Sequence, residues 1–263
     1  MEIGISTACF YPMQTECSVE YIKKAGVKKA EVFLNSVSET DPEFCAMLKN
    51  RFDDAGVEIV SVHAFVAMHE PFLFSDYKRR QDDAIEIYRK NINACKMLGA
   101  KFHTFHGARQ EMFCDGFDYK TFGETLTFLS NLAGEKGIKL AWENVSWCLS
   151  KSPEFIERVL PYIKSDSFGF TLDLKQAIRA NFNYLEYLKV FDKKLLNVHI
   201  SDSKADRDCL LPGNGEVDFC SVLSRLKDIG YDGDLIIEVY NDAISGMKEI
   251  EKSVKYLNGL LKN

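Results

Sequence analysis

Four apolar runs in this chain stop on or near a side chain able to bind a metal ion. Residues 195–200 carry His199 near their end and lead into Ser201 and Asp202. Residues 138–142 stop on Glu143, residues 168–172 on Asp173, and residues 234–237 on Glu238. Three carboxylates and an imidazole make a mixed oxygen and nitrogen set suited to Mn²⁺, Mg²⁺, Co²⁺ or Zn²⁺, with no soft thiolate in it. Gathered without a cation, such carboxylates would repel, and at least one would hold a proton. A competing reading makes them helix caps or rim partners of Lys and Arg. That reading serves for any one of the four, and poorly for four strands feeding one ring.

Glu31, His63 and His106 also stand at or near the ends of apolar runs. His63, His106 and His199 are three of only five histidines in the chain. His63 and His106 read as a pair behind the metal ligands or in contact with substrate; the alternative is a neutral core histidine satisfied by a backbone carbonyl. His103 reads as structural. His69, beside Glu70 in a loop, offers a weaker case for a lid.

The elements that must carry these residues alternate along the chain. Strands are expected over 3–6, 29–34, 57–63, 100–106, 138–142, 168–173, 195–200 and 234–238. Helices follow: one capped by Ser18 and stopped at Gly26, one opened by Asp41-Pro42 and ended at Gly56, and the longest over about 75–98, ended by Gly99. Others cover 119–135, the stretch opened by Ser152-Pro153 and limited by Pro161, a turn and helix around 184–190, an Asp218-capped helix to Ile229, and a last one from about Ala243. Eight strand–helix alternations imply a parallel sheet. A closed α/β (β/α)₈ TIM barrel over residues 1–263, a single domain, fits the count better than an open sheet. The first strand turn lacks GxGxxG, which removes the usual dinucleotide reading. In such a barrel the chemistry sits at the C-terminal ends of the strands.

A chain of 263 residues buries a large core without staples. The formal net charge of −6 argues weakly against a nucleic-acid surface. Eight scattered cysteines without CxxC spacing, most of them beside apolar residues, read as small reduced residues, most of them in the core, and a cytoplasmic location is expected. The N-terminus lacks a basic region followed by a long apolar run. No stretch approaches the roughly 18 apolar residues of a membrane span.

The succession His63, His106-Gly107, Glu143-Asn144, Leu172-Asp173, Val198-His199 and Ile237-Glu238 resembles the xylose isomerase-like barrel superfamily across nearly the whole chain. Gly213-Asn214-Gly215-Glu216-Val217-Asp218-Phe219, between the last two, belongs to the same pattern. That group contains ketose 3-epimerases, hydroxypyruvate isomerases, inosose dehydratases and metal-dependent abasic-site endonucleases. The resemblance implies one divalent metal ion on Glu143, Asp173, His199 and Glu238, with Glu143 and Glu238 also transferring protons. Two positions depart from it. Gln176 stands where both branches usually carry histidine, and Asp208 replaces the histidine of the endonuclease Asp-Arg-His segment. An amide is a poor zinc ligand, so a three-zinc cluster should suffer while a single-metal site survives.

The expected activity is a sugar or sugar phosphate isomerase or epimerase that moves a carbon-bound proton through an enediolate. His63, His106, Gln176 and Arg207 would bind substrate. Lys175, Arg179, Lys204 and Arg207 could receive a phosphate, or simply be solvated. A polyol dehydratase on the same site is the alternative. An abasic-site endonuclease and a non-catalytic carbohydrate-binding barrel are weaker. The expected partner is a small sugar or polyol, with no nucleic acid and no membrane; a homo-oligomer is compatible with all of this.

Overall fold

Phe168–Asp173 is buried at every position, as a parallel strand must be when helices cover one face of the sheet and a barrel interior the other. The computed structural model describes residues 1–64 and 69–262. In chain order the elements are β1 (Ile3–Ser6), α1 (Thr15–Lys24), β2 (Lys29–Leu34), α2 (Pro42–Ala55), β3 (Glu58–Ala64), α3 (Lys78–Leu98), β4 (Phe102–Phe105) and α4 (Tyr119–Gly134). Then come β5 (Lys139–Glu143), α5 (Pro153–Val159), β6 (Phe168–Asp173), α6 (Leu174–Arg179), α7 (Tyr184–Phe191), β7 (Leu195–Ile200), β8 (Asp202–Lys204), β9 (Arg207–Leu210), α8 (Phe219–Asp228), β10 (Leu235–Ile237) and α9 (Met247–Leu261).

Eight parallel strands close in the order β1-β10-β7-β6-β5-β4-β3-β2. Outward side chains meet the helical ring. Trp142 packs on Phe122 of α4, and Phe170 stacks on Phe191 of α7 with ring centroids 4.1 Å apart. Tyr88 of α3 faces His103 and Phe105 and donates its hydroxyl to Leu129 O. No helix among the described residues is long and apolar enough to cross a membrane.

Two register shifts matter for the site. Ala30 pairs with Ile59, but Glu31 pairs with Ser61, so β3 holds an extra residue there. Phe170 pairs with Leu195, but Thr171 pairs with Asn197 and Asp173 with His199. Such bulges re-aim side chains, and the second makes Asp173 and His199 direct neighbours.

Several boundaries differ from those expected. Ser18 lies inside α1, its hydroxyl donating to Thr15 O, so it is no cap. A 3-10 turn, Glu70–Phe74, precedes α3, which starts at Lys78 rather than near 75. Helix α9 starts at Met247, after a 3-10 turn over Asn241–Ala243. The antiparallel pair β8–β9 adds to the expected elements; residues 201–208 are polar but for Ala205, so no apolar run marks a strand there. Asp218 caps as expected, accepting from Ser221 N, and Ser152 at the opening of α5 accepts from Phe155 N; Asp41, expected to be a good N-cap of α2, holds that position without a side-chain bond. Gly99 ends α3 at φ 78, where a Cβ would be strained.

Candidate metal centre

The ends of β5, β6 and β7 and the residue after β10 carry Glu143, Asp173, His199 and Glu238 to one point. One ligand atom from each lies within 4.8 Å of all the others. His199 Nδ1 is 3.1 Å from Glu143 Oε1, 3.2 Å from Glu238 Oε2 and 3.7 Å from Asp173 Oδ2. All four residues are buried. Asp173 Oδ2 and Glu143 Oε2 lack a well-formed hydrogen bond; the first has the Lys175 ammonium at 3.4 Å and the second the Nε2 atoms of His63 and His106 at 3.4 and 3.1 Å. Buried carboxylate oxygens gathered with one imidazole nitrogen are the donor set a divalent cation takes.

Electrostatics point the same way. Burial alone would lower the His199 pKa, but the charges of Glu238 and Glu31 and hydrogen bonding to Asp173 and Glu143 hold it well above the ordinary imidazole value. Burial opposes ionisation of Glu238, yet His199 and Lys175 hold its carboxyl well below the usual range. Asp173 is raised, chiefly by desolvation. The pocket collects negative charge and calls for a cation; protonated His199 is one way to supply it and a metal ion another.

His63 and His106 stand beside this group. Their Nε2 atoms are 2.9 Å apart, and Glu143 Oε2 lies 3.4 Å from His63 Nε2 and 3.1 Å from His106 Nε2. These three residues make a second set with metal-ligand spacing. Desolvation works against a charge on His63, but Glu143 and Glu31 raise its pKa to about 9. Glu70 fixes the backbone here, accepting from the N–H groups of His106 and Gly107, both at 2.8 Å. Trp142 Nε1 donates to His106 O. His103, an odd number of residues earlier, faces the helices with Nδ1 3.0 Å from Val62 O, in keeping with a structural role. His69 occupies the N-cap position of the 3-10 turn without a side-chain capping bond; residues 65–68 before it lie outside the described part.

Asn144 and Asp173 bond reciprocally: Asn144 Nδ2 donates to Asp173 O and Asp173 N to Asn144 Oδ1. Asp173 also caps α6 through Gln176 N. The Gln176 side-chain carbonyl accepts from Ser146 N and Oγ. Arg207 is not brought to it: exposed on β9, it donates to Asp242 O and pairs with Asp242 Oδ2 at 3.8 Å.

Lys175 corrects a sequence expectation. Placed among surface cations, it is buried, with Nζ 3.4 Å from both Asp173 Oδ2 and Glu238 Oε2 and 5.0 Å from the Tyr240 ring centroid. Arg179 is committed to Asp208 and the Tyr240 hydroxyl. Lys175, Asn197 and the carboxylate of Glu70 were missed as parts of the site. Asn197 carried a signal, standing two residues before His199 and so on the same strand face.

Comparison with known proteins places the chain among relatives of similar sequence and fold. An inosose dehydratase of Clostridium perfringens is 26% identical over 89% of this chain and 85% of its own length. An inosose isomerase of Bacillus licheniformis is 30% identical over 60% of each chain. Among solved structures, a D-tagatose 3-epimerase-like protein superposes with a TM-score of 0.83 at 24% identity, over 100% of this chain and 97% of that one. A zinc-bound IOLI protein gives 0.79 at 22% identity, over 98% and 96%. At such identities the two structures speak for the fold alone. A family model described as xylose isomerase-like TIM barrel matches residues 19–260, and the chain therefore belongs to that family.

Proposed function

We propose that this protein is a divalent-metal-dependent isomerase or epimerase of a small sugar or polyol, moving a proton at a carbon next to a carbonyl. The observation that carries the reading is the meeting of Glu143, Asp173, His199 and Glu238 within 4.8 Å in a family whose relatives include an inosose isomerase and an inosose dehydratase. Glu143, Asp173, His199 and Glu238 would hold the ion. When bound, it supplies Lewis-acid polarisation of a carbonyl and a neighbouring hydroxyl.

The chain's own residues supply the rest. Glu143 and Glu238 reach the group from strands on opposite sides of β6 and β7, so a substrate between them meets a carboxylate on either side. One takes the carbon-bound proton on a carboxylate oxygen, and the same or the other returns it. His63, His106 and the Gln176 amide would hydrogen-bond hydroxyls and fix which carbon faces the carboxylates. Arg207, on the hairpin and tied to Asp242, would contact only the outer end of a longer substrate. Lys175, Arg179, Lys204 and Arg207, the four cations considered for a phosphate, each stand beside a carboxylate, which favours an unphosphorylated substrate.

Elemental analysis of protein purified without chelator, repeated on His199→Ala, tests the centre: near one metal per chain is expected, and is expected to be lost in the variant. Metal-free wild type that still turns over substrate would refute the reading. The coverage by an inosose dehydratase favours a second reading, loss of water from the same site. Incubation with ketoses and inosose in D₂O separates the two: exchange into isomerised product supports the first, release of a dehydrated product the second.

A further inference from the structure

TIM-barrel interiors are filled by layers of mostly branched apolar side chains. Beneath this metal centre the layer is polar instead, made of Glu31, Ser61, Thr104 and Asn197, all fully buried. A buried carboxylate costs several kcal/mol unless its oxygens find partners. Glu31 finds four. Oε2 accepts from Ser61 Oγ at 2.7 Å, Thr104 Oγ1 at 2.9 Å and Asn197 Nδ2 at 3.1 Å. His199 Nε2 lies 3.0 Å from Oε1 and 3.1 Å from Oε2. Both register shifts serve this arrangement, one bringing Ser61 opposite Glu31 and the other Asn197 opposite Thr171.

The hydroxyl and amide donors leave Glu31 little freedom to turn. Its carboxylate has no hydrogen to give, so the hydrogen between it and His199 sits on Nε2. Asn197 Nδ2, 3.1 Å from the same nitrogen, carries two hydrogens and gives one to Glu31 Oε2 at 3.1 Å; an amide nitrogen accepts none, so the Nε2 hydrogen goes to Glu31. Nδ1 is then the nitrogen whose lone pair faces Glu143, Asp173 and Glu238. A carboxylate behind a ligating histidine fixes the tautomer and ring angle and makes the imidazole a better donor.

We propose that Glu31 is a positioning residue of the metal centre: by accepting the Nε2 hydrogen of His199 it presents Nδ1 to the ion and tightens metal binding. This rests on the metal-dependent reading above. It accounts for a charged residue 168 positions away from His199 in sequence and buried in a barrel layer that is otherwise apolar in such folds.

Co²⁺ is the probe. Chelator-treated wild type, Glu31→Gln and Thr104→Val are titrated with Co²⁺ and followed by visible absorption, and the unfolding midpoint of each metal-free protein is measured. Glu31→Gln is expected to weaken Co²⁺ binding roughly 10- to 100-fold; its metal-free midpoint is expected to fall, since one side of a buried pair has gone, so affinities are compared well below each midpoint, where every protein is folded. ¹H–¹⁵N spectra of the Zn²⁺-loaded proteins should show the His199 Nε2 hydrogen far downfield in wild type, as a bond to a carboxylate requires, and moved upfield in Glu31→Gln. Thr104→Val, which removes one donor to Glu31 at nearly constant volume, should weaken binding by a smaller factor; it carries the test if Glu31→Gln does not fold. Unchanged Co²⁺ affinity in Glu31→Gln, or in Thr104→Val where only that variant folds, overturns the proposal and leaves the metal centre standing. Wild type that takes up no Co²⁺ overturns both.

Discussion

Replacing Lys175 by methionine keeps most of the aliphatic stem and removes the ammonium held 3.4 Å from Asp173 and 3.4 Å from Glu238. At an effective dielectric near 20, a unit-charge contact at that distance is worth about 5 kcal/mol before desolvation. Burying the ammonium offsets much of this, and breaking a buried pair on one side typically costs about 3–5 kcal/mol. In the metal-free protein, Lys175→Met is therefore expected to lower the denaturation midpoint by the equivalent of about 3 kcal/mol or more. That corresponds to roughly 6–12 °C for a chain of this size. A divalent cation replaces the missing positive charge, so the variant should recover much of the loss when metal is added. The assay is a pair of melts, chelated and metal-saturated, for each protein. The metal-induced rise should be larger in Lys175→Met than in wild type. Equal rises would mean that the ammonium and the metal ion do not share the same carboxylates, and the charge argument for the centre would fail.

His103 gives a pH prediction. Burial, against the opposing Val62 carbonyl, moves its pKa from 6.5 down to about 4. Between those values the unfolded chain binds a proton that the folded one refuses, so stability is full above pH 6.5 and falls as pH drops toward 4. At about 1.4 kcal/mol per pKa unit the loss amounts to roughly 3 kcal/mol. Urea titrations at stepped pH should show this slope flattened in His103→Gln; an unchanged slope would assign the acid sensitivity elsewhere. Asp202 accepts from the backbone N–H groups of Ser203, Gly213, Gly215 and Val217, and each such bond to a charged acceptor contributes about 1.5–3 kcal/mol. Asp202→Ala is expected to destabilise by at least about 3 kcal/mol and to speed amide exchange at Gly213, Gly215 and Val217, read by hydrogen-exchange mass spectrometry; protection equal to wild type would show that the loop holds itself.

Parallel strands buried on both faces must be apolar, and a barrel must put its chemistry where those strands end. Both constraints act along short stretches of chain, which is why Glu143, Asp173, His199 and Glu238 stood out from the sequence, and why the glycine stop of α3 and the caps Ser152 and Asp218 were legible. The ends of α1 and α9 were less so, because no side-chain cap marks either start. Other features depend on distance in space. Lys175 looked like a surface cation because nothing local reveals that Tyr240 and two carboxylates enclose it. Glu31 was visible as a strand-end carboxylate, but its bond to His199 depends on closure of the barrel and on where two strands slip by one residue. Sequence alone determined which residues end the strands; only the closed, bulged sheet decided which of them touch, because register is set by packing between segments far apart in the chain.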